Sequence, residues 1–193
     1  LKTRYENADF PDFDALLAHF LAALRTHHRA SVTAACLAVA GPVHGQRVSL
    51  TNRPAWSLDA EALSARHKLG PVTIVNDFAA VAAGLAQLEA GDLRGLHPGK
   101  AEAGGVVLAL GPGTGCGVAA VHAGQVLASE AGHIGFAPFD EESTALWRLL
   151  GAPASRVTAE HVLSGAGLAD CFRLLGAAPL EPAAVVQRAQ AGD

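Results

Sequence analysis

The chain has 193 residues, half of them hydrophobic and 17% charged, with a formal net charge of −4. That length and apolar share suit one large domain or two small ones around a sizeable core, and mild acidity without a Lys/Arg block excludes nucleic acid as the main partner. No apolar run approaches the roughly 18 residues of a membrane span, and three scattered cysteines without a CxxC pair (Cys36, Cys116, Cys171) suit a reducing cytoplasm rather than a disulfide framework.

Taken in order, residues 12–28 carry apolar side chains at helical spacing behind two aspartates and predict a helix. Residues 33–40 read as a buried strand, 41–45 as a turn around Gly41-Pro42, and 47–51 as a returning strand. A helix follows over 58–69, a strand over 71–75, and a helix over 78–90 that stops at Gly91. The polar, glycine-rich stretch 92–105 is the best candidate for a domain boundary, which divides the chain into 1–104 and 105–193. Beyond it come two strands flanking a glycine loop, a short strand over 125–128 and a further strand near 133–136. Helices then occupy 140–150, 158–163, 168–175 and 182–190. Strands and helices joined by short loops imply an α/β fold.

The glycine loop carries the first chemical signal. The apolar run 106–110 enters Gly111-Pro112-Gly113-Thr114-Gly115-Cys116-Gly117, and a second apolar run leaves it. Glycines let backbone N–H groups wrap an anion with no Cβ in the way. The Walker loop is excluded, because Gly-Lys-Ser/Thr is missing at its end. The dinucleotide fingerprint is excluded too: it needs a helix next, and 118–121 and 125–128 read as strands turning at 122–124. Two readings stand, a phosphate clamp between hairpin strands or a bare glycine hairpin.

Four further stretches bear on chemistry. Val75-Asn76-Asp77-Phe78 ends a strand in two polar residues before a helix. Ligands in α/β sheets lie beyond the carboxyl ends of strands, so Asp77 is a candidate general base and Asn76 a ligand-orienting amide; Asn and Asp are equally good helix caps. Glu130 and His133 share a spacing found in helical metal sites, but two glycines in 130–135 argue against a helix, and no metal is assigned. An extended turn with a carboxylate and an imidazole suits hydrogen bonds to a polyol. Thr158 reads as an N-cap and Glu160 as a first-turn acid favoured by the helix dipole. Thr51-Asn52 before Pro54 reads as a strand end and proline turn that could line a cleft. The remaining histidines form no ligand pattern.

Together these pieces resemble the bacterial glucokinase family, within the actin/hexokinase/sugar-kinase superfamily. The matching stretches are 36–42, 50–56, 74–78, 110–119, 130–133 with 136–138, and 159–165, in family order. The resemblance implies a two-lobed, hexokinase-like (ribonuclease H-like) α/β fold, with 1–104 forming most of the small lobe and 105–193 the first part of the large one. It implies ATP-dependent phosphorylation of glucose at the 6-hydroxyl, with ATP and Mg²⁺ as cofactors, in a cytoplasmic homodimer. Asp77 matches the catalytic base. Asn76, Asp77, Glu130, His133 and Glu160 match the sugar-binding residues, and Gly111, Gly113, Thr114, Gly115 and Gly117 the ATP phosphate loop.

Some family elements are missing. The family's opening strand with its Asp-x-Gly-Gly-Thr loop is absent, as are the C-terminal adenosine-binding segment and the zinc cysteine cluster of the repressor/ORF/kinase group. The chain opens at Leu1, contains no methionine and stops just after a helical stretch. We therefore expect a segment cut at both ends and inactive by itself. The alternatives are a kinase of another hexose and a non-enzymatic sugar-sensing regulator of the same fold.

Overall fold

The computed structural model describes residues 2–27, 32–50, 53–100, 102–152 and 154–192. The chain divides into two compact units, Leu1–Ala80 and Val81–Asp193.

The first unit is mixed α/β. Helix α1 (Phe13–His27) opens at Asp12, whose carboxylate accepts from the Ala15 N–H at 2.8 Å. Strand β1 (Ala35–Val39) pairs in parallel with β4 (Val72–Asn76), Val39 opposite Asn76, so both carboxyl ends lie at one edge. Between them, β2 (Arg47–Leu50) and β3 (Arg53–Asp59) form an antiparallel pair. Helix α2 (Ala60–His67) follows, with the Asp59 carboxylate accepting from the Glu61 and Ala62 N–H groups at 3.0 and 3.1 Å. Leu17 and Leu21 of α1, Val39, Val48, Leu58, Leu63 and Ile74 make the core.

Strand β3 corrects the expectation for this region. In place of a proline turn after Thr51-Asn52 and one helix over 58–69, residues 53–59 form a strand and the helix begins only at Ala60. Trp56 and Leu58 are buried while Ala55 and Ser57 are exposed, the period of a half-buried strand. Pro54 is tolerated because a two-stranded sheet consists of edges. Strand β2 therefore returns against β3 and not against β1. Thr51 and Asn52 lie outside the described residues.

Helix α3 (Asp77–Gly84) ends six residues short of the expected Ala90, at a glycine, and continues as 3-10 turns Leu85–Gln87 and Ala90–Asp92. The second unit, which takes in the polar stretch 92–105, is built on a three-stranded antiparallel meander. Its strands are β5 (Val107–Pro112), β6 (Cys116–His122) and β7 (Gln125–Ser129). The β6–β7 turn is the two-residue left-handed type, with Ala123 at φ 48° and Gly124 at 76°. No strand forms over 133–136. Ala131–His133 is a 3-10 turn, and Gly135 makes one isolated bridge to Thr158. Helices α4 (Glu141–Leu149), α5 (Ala159–Leu163), α6 (Gly165–Leu174) and α7 (Pro182–Ala191) complete the unit. Helix α6 starts three residues earlier than expected because Ser164 Oγ caps it, accepting from the Gly167 N–H at 3.1 Å. No helix among the described residues is long and apolar enough to cross a membrane.

Candidate functional site

In the first unit, the junction of β4 and α3 separates two roles that the sequence left open. Asn76 Oδ1 accepts from the Ala79 N–H at 3.0 Å and is the cap of α3; its amide nitrogen donates to the Gly41 carbonyl at 3.4 Å. Asp77 is then the first helical residue, half-buried, just beyond the carboxyl ends of the parallel pair β1–β4. Its Oδ1 accepts from the Phe78 N–H at 2.9 Å, and its Oδ2 has no partner among the described residues. Capping therefore does not consume the carboxylate. Gln46 Oε1 accepts from the Ile74 N–H at 2.8 Å and so ties the β1–β2 connection to β4. Nearby, Tyr5, Phe13, Val39, Arg53 and Trp56 line a cavity of about 450 Å³.

In the second unit, Gly111 faces Gly117 and Pro112 faces Cys116 across β5–β6, so the loop proper is residues 113–115. It closes on itself once, Gly113 N–H to Gly115 carbonyl at 2.8 Å. Every other fastening comes from distant chain. The Gly113 carbonyl accepts from the Gly165 N–H at the start of α6, at 2.8 Å. The Cys116 N–H donates to Glu160 Oε2, also at 2.8 Å. A Cβ on Gly115 would stand 2.6 Å from that same oxygen, and a Cβ on Gly132 would run into the Cys116 carbonyl. Two N–H groups, of Thr114 and Gly115, have no partner among the described residues, and Thr114 is exposed. A pair of adjacent free donors on a braced loop can receive an anion.

Glu130 and His133 flank the 3-10 turn that follows β7. Both side chains are about half exposed, with His133 Nε2 3.9 Å from Glu130 Oε2. At that distance and exposure the pair contributes little to stability, and both groups keep their hydrogen-bonding capacity. Arg156 donates to the His133 carbonyl at 2.7 Å, Phe136 N–H to the Val157 carbonyl at 2.9 Å, and Ala159 N–H to the Ile134 carbonyl at 2.9 Å. The turn is thereby tied to the start of α5, which carries Glu160. Thr158 is the N-cap of α5, and its N–H donates to His161 Nδ1 at 3.0 Å, which leaves the ring proton on Nε2.

Asn76 and Asp77 thus belong to the first unit, whereas the glycine loop, Glu130, His133 and Glu160 are knitted together within the second. Arg156, Gly132 and Cys116 join this knot through backbone contacts with distant chain that no local pattern marks. The Cys116 thiol is buried; burial and then the Glu160 charge push its pKa up, which disfavours the reactive thiolate. Among the described residues, no three His, Cys, Asp or Glu side chains are grouped to hold a metal ion.

The family model for glucokinase matches residues 2–193. A glucokinase of Ralstonia nicotianae is 35% identical over 175 residues, covering 88% of this chain and 51% of the relative. One of Nitrobacter hamburgensis is 38% identical over 187 residues, covering 92% and 58%. The crystal structure of glucokinase from an Antarctic psychrotroph superposes with a TM-score of 0.77 at 29% identity, covering 97% of this chain and 60% of that one. The chain spans about half the length of the curated relatives it matches.

Proposed function

From the premise that the chain belongs to the glucokinase family and has its hexokinase-like α/β fold, we propose that its protein phosphorylates glucose at the 6-hydroxyl at the expense of ATP. The observation that carries this reading is Asp77. It is a half-buried carboxylate with one oxygen uncommitted, beyond the carboxyl ends of two parallel strands. Asp77 takes the proton of the sugar 6-hydroxyl as the phosphoryl group arrives. The Asn76 amide, only loosely held by Gly41 at 3.4 Å, orients a neighbouring hydroxyl. Glu130 and Glu160 accept from sugar hydroxyls, and His133 donates or accepts.

The nucleotide phosphates meet the loop from Gly111 to Gly117 at the free Thr114 and Gly115 N–H groups, with Gly113 leaving open space beside them. Mg²⁺ would arrive with the nucleotide, held mainly by its phosphates. When bound, it neutralises charge on the transferring group. We place the protein in the cytoplasm, as a homodimer.

A coupled ADP-release assay on the protein as its gene encodes it, run across glucose, mannose, fructose and glucosamine, tests the reading. Glucose-dependent ADP release supports it, with glucose giving the highest kcat/KM. Preference for another hexose changes the substrate and keeps the chemistry. Sugar binding with no ADP release under any hexose overturns the kinase in favour of a sugar-sensing regulator.

A further inference from the structure

Glu160 is committed in a way that sugar binding does not require. It lies in the first turn of α5, yet one carboxylate oxygen is spent on the backbone N–H of Cys116, the residue that closes the glycine loop. Three elements converge on Cys116: Glu160 at its N–H, Gly132 of the 3-10 turn against its carbonyl, and the packing that buries its side chain to 7% exposure. Gly165, five residues after Glu160, holds the opposite end of the loop through the Gly113 carbonyl. The α5–α6 junction therefore grips both ends of residues 113–115.

We propose that Glu160 is a positioning residue for the glycine loop: its Oε2, by holding the Cys116 N–H, sets the direction of the free Thr114 and Gly115 N–H groups and so the affinity for nucleotide phosphate. The proposal rests on the reading of this loop as the phosphate contact. The physical ground is that glycines alone do not hold a loop. With glycine at 111, 113, 115 and 117 the backbone has wide freedom, and the conformational entropy of ordering it must be offset from outside. A charge-assisted bond to a backbone N–H does this at a defined point. The two oxygens divide the work, with Oε2 on the loop and Oε1 left for a sugar hydroxyl.

The division gives a test with three variants of the protein as its gene encodes it. E160A removes the acceptor, E160D keeps the charge on a side chain one methylene shorter, and E160Q keeps an acceptor without the charge. The first readout uses no ligand: the alkylation rate of Cys116, followed by peptide mass spectrometry with buried Cys171 as the internal control. The second is the split between nucleotide KM and glucose KM. In E160A and E160D the Cys116 rate and the nucleotide KM both rise by about tenfold or more, the scale of one lost charge-assisted hydrogen bond. E160Q restores the nucleotide KM towards wild type while its glucose KM stays raised, and its Cys116 rate falls between wild type and E160A because losing the charge eases ionisation of the thiol. Because E160D keeps the negative charge beside the thiol, a rise there reports loop opening and not easier ionisation. Should Cys171 react as well in E160A, that variant has unfolded and E160D decides. Wild-type Cys116 protection in E160D overturns the brace. Loss of protection with an unchanged nucleotide KM overturns the link to phosphate. If the wild-type protein binds no nucleotide at all, the kinase reading fails, and with it the phosphate role, while the alkylation rates still decide the brace.

Discussion

The N–H of Cys116 donates to the carboxylate of Glu160 at 2.8 Å, across 44 residues of chain. That bond joins a hairpin loop to a helix that no local pattern pairs with it. The contact of Gly132 with the Cys116 carbonyl adds the third element. The candidate phosphate loop is thus a product of tertiary contacts, and its glycines permit a shape that other residues impose.

Gly132 offers the sharpest probe of this packing. A methyl group at that position meets the Cys116 backbone carbonyl, which cannot swing away as a side chain would. Gly132→Ala is expected to lower stability by roughly 1–3 kcal/mol, the usual cost of forcing an atom into a filled site. Gly135→Ala, with open space around its Cβ, is the control and stays close to wild type. Urea denaturation of both variants checks the pair.

Asn76 carries two structural duties besides its proposed contact with sugar. Asn76→Ala removes the α3 cap and the bond to Gly41, and a loss of about 1 kcal/mol is expected. Asn76→Asp keeps the cap acceptor and recovers most of that loss. Chemical denaturation midpoints measure the stability, and a glucose titration of the same variants shows separately whether the amide contributes to sugar affinity.

Asp14 makes the stability of the first unit pH-dependent. Burial pushes its carboxyl up, but hydrogen bonds from His67 (3.0 Å) and Arg66 (2.9 Å) and their charges outweigh that and hold it below the usual 3.8. A depressed carboxylate contributes stability that is complete above its unfolded value and is lost as pH falls through the folded one. Asp14→Asn is therefore expected to cost roughly 0.5–1 kcal/mol at pH 6, and the difference from wild type shrinks as pH drops below about 4. Thermal unfolding at pH 6, 4.5 and 3 reads this out.

What the sequence made legible was local. The two strands around the glycine loop, the turn at Ala123-Gly124 and the placing of Asn76-Asp77 between β4 and α3 each depend on a few adjacent residues. Strand β3 was hidden because Pro54 signals a turn more strongly than the alternation of Trp56 and Leu58 signals a strand. The strand expected over 133–136 failed for the opposite reason: the segment pairs only at Gly135, the His133 and Ile134 N–H groups close a 3-10 turn onto Glu130 and Ala131, and Ile134 and Phe136 bond to Ala159 and Val157 at the start of α5. The division of Asn76 as cap from Asp77 as uncommitted acid, and the bond between Glu160 and Cys116, depend on three-dimensional placement that neither spacing nor composition encodes.

The central claim is that Asp77 is the base of a sugar phosphorylation. Asp77→Asn keeps the side-chain shape and the bond to the Phe78 N–H but cannot take a proton. In the protein as its gene encodes it, glucose binding by calorimetry should stay near wild type while kcat for ADP release falls by about 10²–10⁴-fold. Turnover of the Asp77→Asn protein equal to wild type would contradict the assignment.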